Sequence, residues 1–181
     1  GLDELLIRTG HKLAETMVEL FSGLPPGHEF FAQYSFINQD DLPEFEAILQ
    51  FLARNGYVTF GSYNAAQKIS DSTVRLWAAV LAAVPRARLQ LKSLSFADEK
   101  LRTRFKRRFI DAGVAAERVE MLAPNDRKQF YAEYRHIDIA LDPIPYNGGT
   151  TTCEALWMGV PVIALRGDLF RGRMAAAILD I

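Results

Sequence analysis

The sequence predicts an α/β fold, a parallel sheet with helices on both faces, and three observations point to it. From about Tyr57 onward, short apolar runs alternate with longer amphipathic stretches, the rhythm of successive βα units. One run, Val160–Leu165 (VPVIAL), is apolar almost throughout, as a strand buried on both faces must be. Another, Ile137–Leu141 (IDIAL), ends in a Pro- and Gly-rich loop that feeds directly into a helix, and in open α/β sheets ligands sit outside such strand ends. The spacing of these units is that of a Rossmann-like domain.

Tyr57–Tyr63 (YVTFGSY) reads as the first strand of the series. A helix over about Ser72–Val84 follows, with Ser70, Asp71 and Ser72 available as caps and Pro85 marking the exit. Leu89–Leu91 sits in a second strand, followed by a basic helix from about Asp98 to Ala112 that stops at Gly113. Its Arg102, Arg104, Lys106, Arg107 and Arg108 are spread around the helix and diluted by Asp98, Glu99 and Asp111, which reads as a solvated face and not a nucleic-acid patch. Arg118–Leu122 is a third strand, and Asn125 caps a helix running to about His136. Ile137–Leu141 is the fourth strand, Asp142–Gly149 its loop, and Thr150–Met158 a short helix closed by Gly159. Val160–Leu165 is the fifth strand, and a last helix runs from about Phe170 to Leu179. The first fifty-odd residues do not share this rhythm: Pro25, Pro26 and Gly27 form a break, and Leu42–Asn55 reads as a helix packed on the outside.

Composition narrows the function classes. A chain of 181 residues suits one domain, or one with an appended segment, and buries a core of ordinary size. With 21 Lys and Arg against 22 Asp and Glu, the net charge of −1 supplies no global attraction for nucleic acid, so an anion must be held by local groups. Cys153 is the only cysteine, which excludes an intramolecular disulfide and a cysteine metal cluster. No apolar run reaches the length of a membrane span and the start lacks the regions of a signal peptide, so no membrane partner and a cytoplasmic location are expected. The abrupt start and the end at Leu179-Asp180-Ile181 read as a fragment of a larger protein.

The chemistry concentrates in Leu141–Gly159, LDPIPYNGGTTTCEALWMG. A helix amino terminus presents unpaired N–H groups and the positive end of its dipole. Asn147, Gly148 and Gly149 lead into it, the glycines allowing close backbone approach, and Thr150 and Thr151 add hydroxyl donors; a diphosphate fits such a site. Glu154 lies one turn beyond Thr150 on the same face, placed for two ribose hydroxyls. The pattern GxxxxGK[ST] does not occur and no GxGxxG follows the first strand, so nucleoside triphosphatase and dinucleotide readings lack their marks. In the second segment, Phe60–Ser72 (FGSYNAAQKISDS), Lys68 is the only cation; placed at the same sheet edge, it reaches the diphosphate and stabilises charge on a leaving phosphate. The sequence has no DxD motif, Asp138 and Asp142 read as structural, and His11, His28 and His136 lie in no motif suggesting a general base.

The words NGYVTFGSYN, the KIS that follows, DIALDPIPYNGGTTTCEALWMGVPVIAL and FRGRMAAAIL resemble the catalytic region of O-linked N-acetylglucosamine transferases, especially bacterial, tetratricopeptide-associated relatives. The resemblance covers roughly Asn55–Leu179. It implies the carboxyl-terminal lobe of a GT-B glycosyltransferase over residues 55–181, with residues 1–54 forming the end of the first lobe and the connection. The body of the first lobe and the tetratricopeptide repeats are then partners missing from this chain.

Carried over by position, the resemblance makes Lys68 the lysine that contacts the donor diphosphate and is needed for catalysis. Thr150 and Thr151 become the phosphate-helix threonines and Glu154 the ribose-binding acid. Ala123–Arg127, with Ala123 and Arg127 at its ends, and Phe130 become the wall around the uracil. Two positions depart from the family, Phe130 where His is common and Ala65 where a Gln is usual, and Gly149 stands where His or Gly is frequent. The implied reaction inverts the anomeric centre with no metal or other cofactor, moving N-acetylglucosamine from UDP-GlcNAc to protein Ser or Thr hydroxyls. The alternatives are a non-catalytic UDP-sugar-binding module and a protein glycosyltransferase using another UDP-hexose.

Overall fold

The computed structural model describes residues 29–32, 57–84 and 86–179. The strands are β1 (Glu29–Ala32), β2 (Thr59–Ser62), β3 (Arg88–Lys92), β4 (Val119–Leu122), β5 (Ile139–Leu141) and β6 (Val162–Arg166). They form one sheet in the order β1-β6-β5-β2-β3-β4. The five strands from β2 to β6 run parallel to one another. These are the five strands that the alternation of apolar and amphipathic segments predicts. β1 joins β6 antiparallel, with Phe30 opposite Leu165, and was not predicted, because a four-residue edge strand leaves no periodic signal. The helix expected over Leu42–Asn55 and the break at Pro25–Gly27 lie outside the described residues.

Helices α1 (Asp71–Ala83), α2 (Glu99–Asp111), α3 (Arg127–Glu133), α4 (Thr150–Trp157) and α5 (Met174–Leu179) connect or follow the strands. Local chemistry sets their ends. The Ser70 hydroxyl accepts the Thr73 N–H at 3.1 Å, and the Asp98 carboxylate accepts that of Lys100 at 2.8 Å, satisfying orphan donors of α1 and α2. Gly113 and Gly159 follow α2 and α4 with φ of +89° and +75°, the left-handed conformation that lets the chain turn away. Asp126, not Asn125, caps α3, accepting the Gln129 N–H at 2.9 Å, while Asn125 donates to Glu133 at 2.6 Å. α3 is also shorter than expected, tightening into a 3-10 turn over Tyr134–His136. The last predicted helix divides likewise into a 3-10 turn, Phe170–Gly172, and α5.

Strand alternation divides the core into two layers. Ile163 and Leu165 of β6, with Ile139 and Leu141 of β5, enter the cluster that contains Val74, Trp77 and Leu81 of α1 and Phe105 and Phe109 of α2. Val162, Ala164 and Ala140 face the other way, into a cluster with Ala155 of α4, Ala175 and Leu179 of α5, and Tyr134. Helices therefore cover both faces, and every residue from Val162 to Leu165 is buried, as its unbroken apolar character requires. The two tryptophans differ sharply: Trp77 is 2% exposed within the first layer, whereas Trp157, at the end of α4, is 87% exposed.

Two arginines tie segments of the fold together. The Arg118 guanidinium donates to the carbonyls of Ala87, Leu81 and Val84 at 2.8, 2.8 and 3.0 Å, closing the end of α1. Arg108 donates to the Asp71 carboxylate at 2.7 Å and to the Ile69 carbonyl at 3.0 Å. No helix among the described residues is long and apolar enough to cross a membrane.

Candidate functional site

The strand order places β2, first of the parallel series, between β3 and β5, so the connections leave it in opposite directions. Such a switch point opens a crevice outside the carboxyl ends of the two strands. β2 and β5 pair with Phe60 opposite Ile139 and Gly61 opposite Ala140, so the loops that follow them, carrying Lys68 and the Asn147–Gly149 segment, emerge side by side. The two segments singled out in the sequence, some eighty residues apart, meet here.

Contact between them is direct. Lys68 Nζ donates to the Asn147 carbonyl at 2.9 Å and lies 4.4 Å from the centre of the Tyr146 ring. Lys68 is half-buried, and desolvation lowers its pKa from the ordinary lysine value, an effect opposed by the charge of Asp142. Asn147 is fully buried; its amide nitrogen donates to the carbonyls of Pro143 and Leu165, both at 3.2 Å, which anchors the loop on β6. The Ile144–Pro145 peptide is cis. The Ile144 carbonyl accepts from the hydroxyls of Ser70 and Thr73, each at 2.7 Å, so the start of α1 is fastened to the same loop.

The loop then enters α4. Gly149 occupies the cap position with no side-chain cap, and the first turn holds no acidic residue, so no side chain of the helix itself takes up the N–H groups at its amino terminus. Thr150 is exposed and Thr151 half-buried on that turn. The Thr151 hydroxyl donates to Asn64 Oδ1 at 2.9 Å, and Asn64 Nδ2 donates to Asp142 at 3.2 Å. Asp142 also accepts the Gly148 N–H and the Thr152 hydroxyl, each at 3.1 Å. A side chain at Gly148 would not fit, because its Cβ would lie 2.5 Å from Thr152 Oγ1 and 2.7 Å from Asp142 Oδ1.

The residues expected around a base and ribose form a neighbouring group. Glu154, half-buried in the second turn of α4, accepts from the Tyr131 hydroxyl at 3.3 Å, and that hydroxyl accepts from Arg127 at 3.3 Å. Tyr131 therefore links Arg127 and Glu154. Ala123 is exposed just after β4, and its carbonyl accepts from the buried Lys92 at 3.0 Å. Lys92 is also paired with Glu133. The Phe130 ring is packed among Tyr63, Tyr131 and Tyr134, with centroids 5.5, 5.5 and 5.7 Å away.

Sequence reasoning missed Asn64, Tyr131, Tyr146 and Thr152, and it read Asp142 as structural, in keeping with the three hydrogen bonds that its carboxylate accepts. Asn64 and Tyr146 stand in the two quoted motifs beside the residues chosen, and Tyr131 lies one helical turn after Arg127, so the signal was proximity to a site already suspected. Among the described residues, no group of three or more His, Cys, Asp or Glu side chains is arranged to hold a metal ion. A groove of about 350 Å³ at the opposite end of the strands, lined by Tyr57, Arg88, Arg118 and His136 among others, includes none of the predicted site residues.

An uncapped helix start and a lysine meet at the switch point of a parallel α/β sheet, and comparison with known proteins places the chain in a family. The sequence profile described as Glycosyl transferase family 41 matches residues 47–181, and the chain belongs to that family of glycosyltransferases. It is 38% identical over 129 residues to a probable UDP-N-acetylglucosamine–peptide N-acetylglucosaminyltransferase SPINDLY of Arabidopsis thaliana, a match covering 69% of this chain and 14% of the relative. The Solanum lycopersicum protein of the same description is also 38% identical over 129 residues, with the same coverage. Among solved structures, a lysine-to-methionine mutant of Thermobaculum terrenum O-GlcNAc transferase superposes with a TM-score of 0.68 at 43% identity, covering 70% of this chain and 24% of that one. The fold is thus that of the carboxyl-terminal lobe of a GT-B glycosyltransferase of the O-GlcNAc transferase type. The chain spans about one seventh of the length of these curated plant relatives.

Proposed function

We propose that this lobe binds the donor of an inverting, metal-independent glycosyltransferase that moves N-acetylglucosamine from UDP-GlcNAc to Ser or Thr hydroxyls of proteins. The observation that carries the reading is the meeting of Lys68 with the loop that opens α4, at 2.9 Å from the Asn147 carbonyl. In the proposed site, the diphosphate lies against the amino terminus of α4 with Gly148, Gly149, Thr150 and Thr151, and Lys68 faces it from the loop after β2. Glu154 takes the ribose hydroxyls, and Ala123, Arg127 and Phe130 border the uracil.

An acceptor hydroxyl attacks C1 of the sugar from the side opposite the diphosphate, its proton passing to a base outside this lobe. The C1–O bond to the β-phosphate breaks, and the bonding electrons leave with UDP. Negative charge grows on the β-phosphate oxygen as that bond opens. Lys68 and the helix dipole are aimed where this charge develops, the work a metal ion does in other transferases. The acceptor is a protein, and the rest of the enzyme, the first lobe and repeats of the parent protein, supplies the surface that selects it.

Calorimetric titration of the chain with UDP, with and without EDTA and beside Lys68→Ala and Glu154→Ala, tests the reading. Micromolar to millimolar binding that ignores EDTA and weakens in both variants is the expected result. A folded chain that binds no UDP, or binds only with a divalent metal, overturns it. Parallel titrations with GDP and ADP read the base preference.

A further inference from the structure

Asp142, 6% exposed just after β5, accepts three hydrogen bonds from three parts of the loop system, the Asn64 amide, the Gly148 N–H and the Thr152 hydroxyl. We propose that Asp142 and Asn64 are positioning residues of the donor site, which hold Gly148, Thr151 and Thr152 in the shape that receives the diphosphate. The proposal rests on the donor-site reading above.

The bonding pattern leaves little freedom. An ionised carboxylate only accepts, so Asn64 must turn its NH₂ group toward Asp142 and its carbonyl oxygen toward Thr151. Thr151 has one hydroxyl proton, and that proton is used on Asn64 Oδ1 at 2.9 Å. Its lone pairs, not its proton, are then left for a ligand, which revises the expectation that Thr151 offers a hydroxyl donor. Anion binding passes to the backbone N–H groups of the first turn, whose aim depends on how Gly148 is held. Gly148 is held by its N–H to Asp142 at 3.1 Å, in a place with no room for a side chain. Burial pushes the Asp142 carboxyl above the usual carboxylate range, and the bonds from Thr152, Gly148 and Asn64, followed by the charge of Lys68, pull it back.

Amide hydrogen exchange in the absence of UDP, combined with titrations of UDP and of uridine, tests the proposal on the full chain. Asn64→Ala is expected to speed exchange at Gly148 by ~10-fold and to weaken UDP by ~10-fold, about the size of one charge-assisted hydrogen bond. Uridine, which has no phosphate, should keep its affinity. Asp142→Asn should do the same, and Thr152→Val, which leaves the carboxylate two of its donors, provides the milder variant if Asp142→Asn fails to fold. Unchanged exchange at Gly148, or uridine affinity falling in step with UDP, overturns the proposal. A parent chain that binds neither ligand strikes the donor-site reading alone, and the exchange rates still decide whether the relay holds the loop.

Discussion

The Lys68 ammonium lies 2.9 Å from the carbonyl oxygen of Asn147, a residue 79 positions further along the chain. This contact latches the loop after β2 to the loop after β5. The latch and the proposed diphosphate ligand draw on the same positive charge. Lys68→Ala should therefore lower stability only modestly, by about 1 kcal/mol for a half-exposed bond, while lowering UDP affinity by roughly 10–100-fold. Thermal unfolding and calorimetry on the same samples check the two halves.

The lowered pKa of Lys68 adds a pH dependence. Its charged form binds the anion, so UDP affinity should fall as pH rises through the titration of Lys68, at a pH below the ordinary lysine range of about 10.4. Lys68→Arg keeps its charge beyond about pH 12 and should lack this alkaline limb, whatever its affinity at neutral pH. Titrations from pH 7 upward in both proteins make the comparison.

Two adjacent glycines should respond differently to alanine. At Gly148 the new Cβ meets Thr152 Oγ1 at 2.5 Å and Asp142 Oδ1 and Thr151 Oγ1 at 2.7 Å, within a hydrogen-bonded network that cannot yield without losing bonds. At Gly149 it meets only Met174 Cε at 2.7 Å, the end of a flexible side chain. Gly148→Ala should cost about 1–3 kcal/mol and most of the UDP affinity, and Gly149→Ala less than about 1 kcal/mol. Denaturant unfolding separates the pair.

Asp138 supplies a pH test remote from the ligand. It is 6% exposed, and burial raises its pKa to about 6 despite the Thr59 N–H that it accepts at 2.6 Å. The folded state holds this proton more tightly than the unfolded chain, so stability falls as pH rises from about 4 to 6 and then levels. Asp138→Asn keeps an acceptor for Thr59 and removes the titration. Relative to the parent, it should gain stability across that window, by at most about 3 kcal/mol at pH 7. Unfolding curves between pH 4 and 7 measure the difference.

In the sheet, Gly61 lies beneath Ile137, and a Cβ there would sit 2.2 Å from Ile137 Cδ1. Gly61→Ala should destabilise by about 1–3 kcal/mol, and Ile137→Val in the same chain should recover part of the loss. A double-mutant cycle by denaturant unfolding shows whether the two changes couple.

The parallel strands and most helix ends were legible because hydrophobic period, caps and glycines are local signals: Ser70, Gly113 and Gly159 do in the structure what their positions suggest. The cap at Asp126 in place of Asn125 shows the one-residue uncertainty of two adjacent capping residues. The site was legible as a pair of loops, since strand–loop–helix order and a lone lysine suffice to bring Lys68 to Asn147. The relay through Asn64 and Asp142 was not. Its members are 78 and 87 positions apart in their bonds to one another and to Thr151, and nothing local to any of them says which amide or carboxylate it will meet. Phe130 illustrates the same limit in part, since Tyr134 lies one turn further in its own segment whereas Tyr63 comes from the loop after β2.

The contrast between the two tryptophans equips this lobe with its own optical probe. α4 begins at the proposed phosphate site and ends at Trp157, so an eight-residue helix about 12 Å long joins ligand and indole. Trp157, 87% exposed, emits as a solvated indole open to iodide quenching, whereas Trp77, 2% exposed, is shielded and emits further to the blue. The quenchable part of the fluorescence thus reports from the helix proposed to meet the donor, and the unquenchable part serves as an internal reference, with no label attached to either.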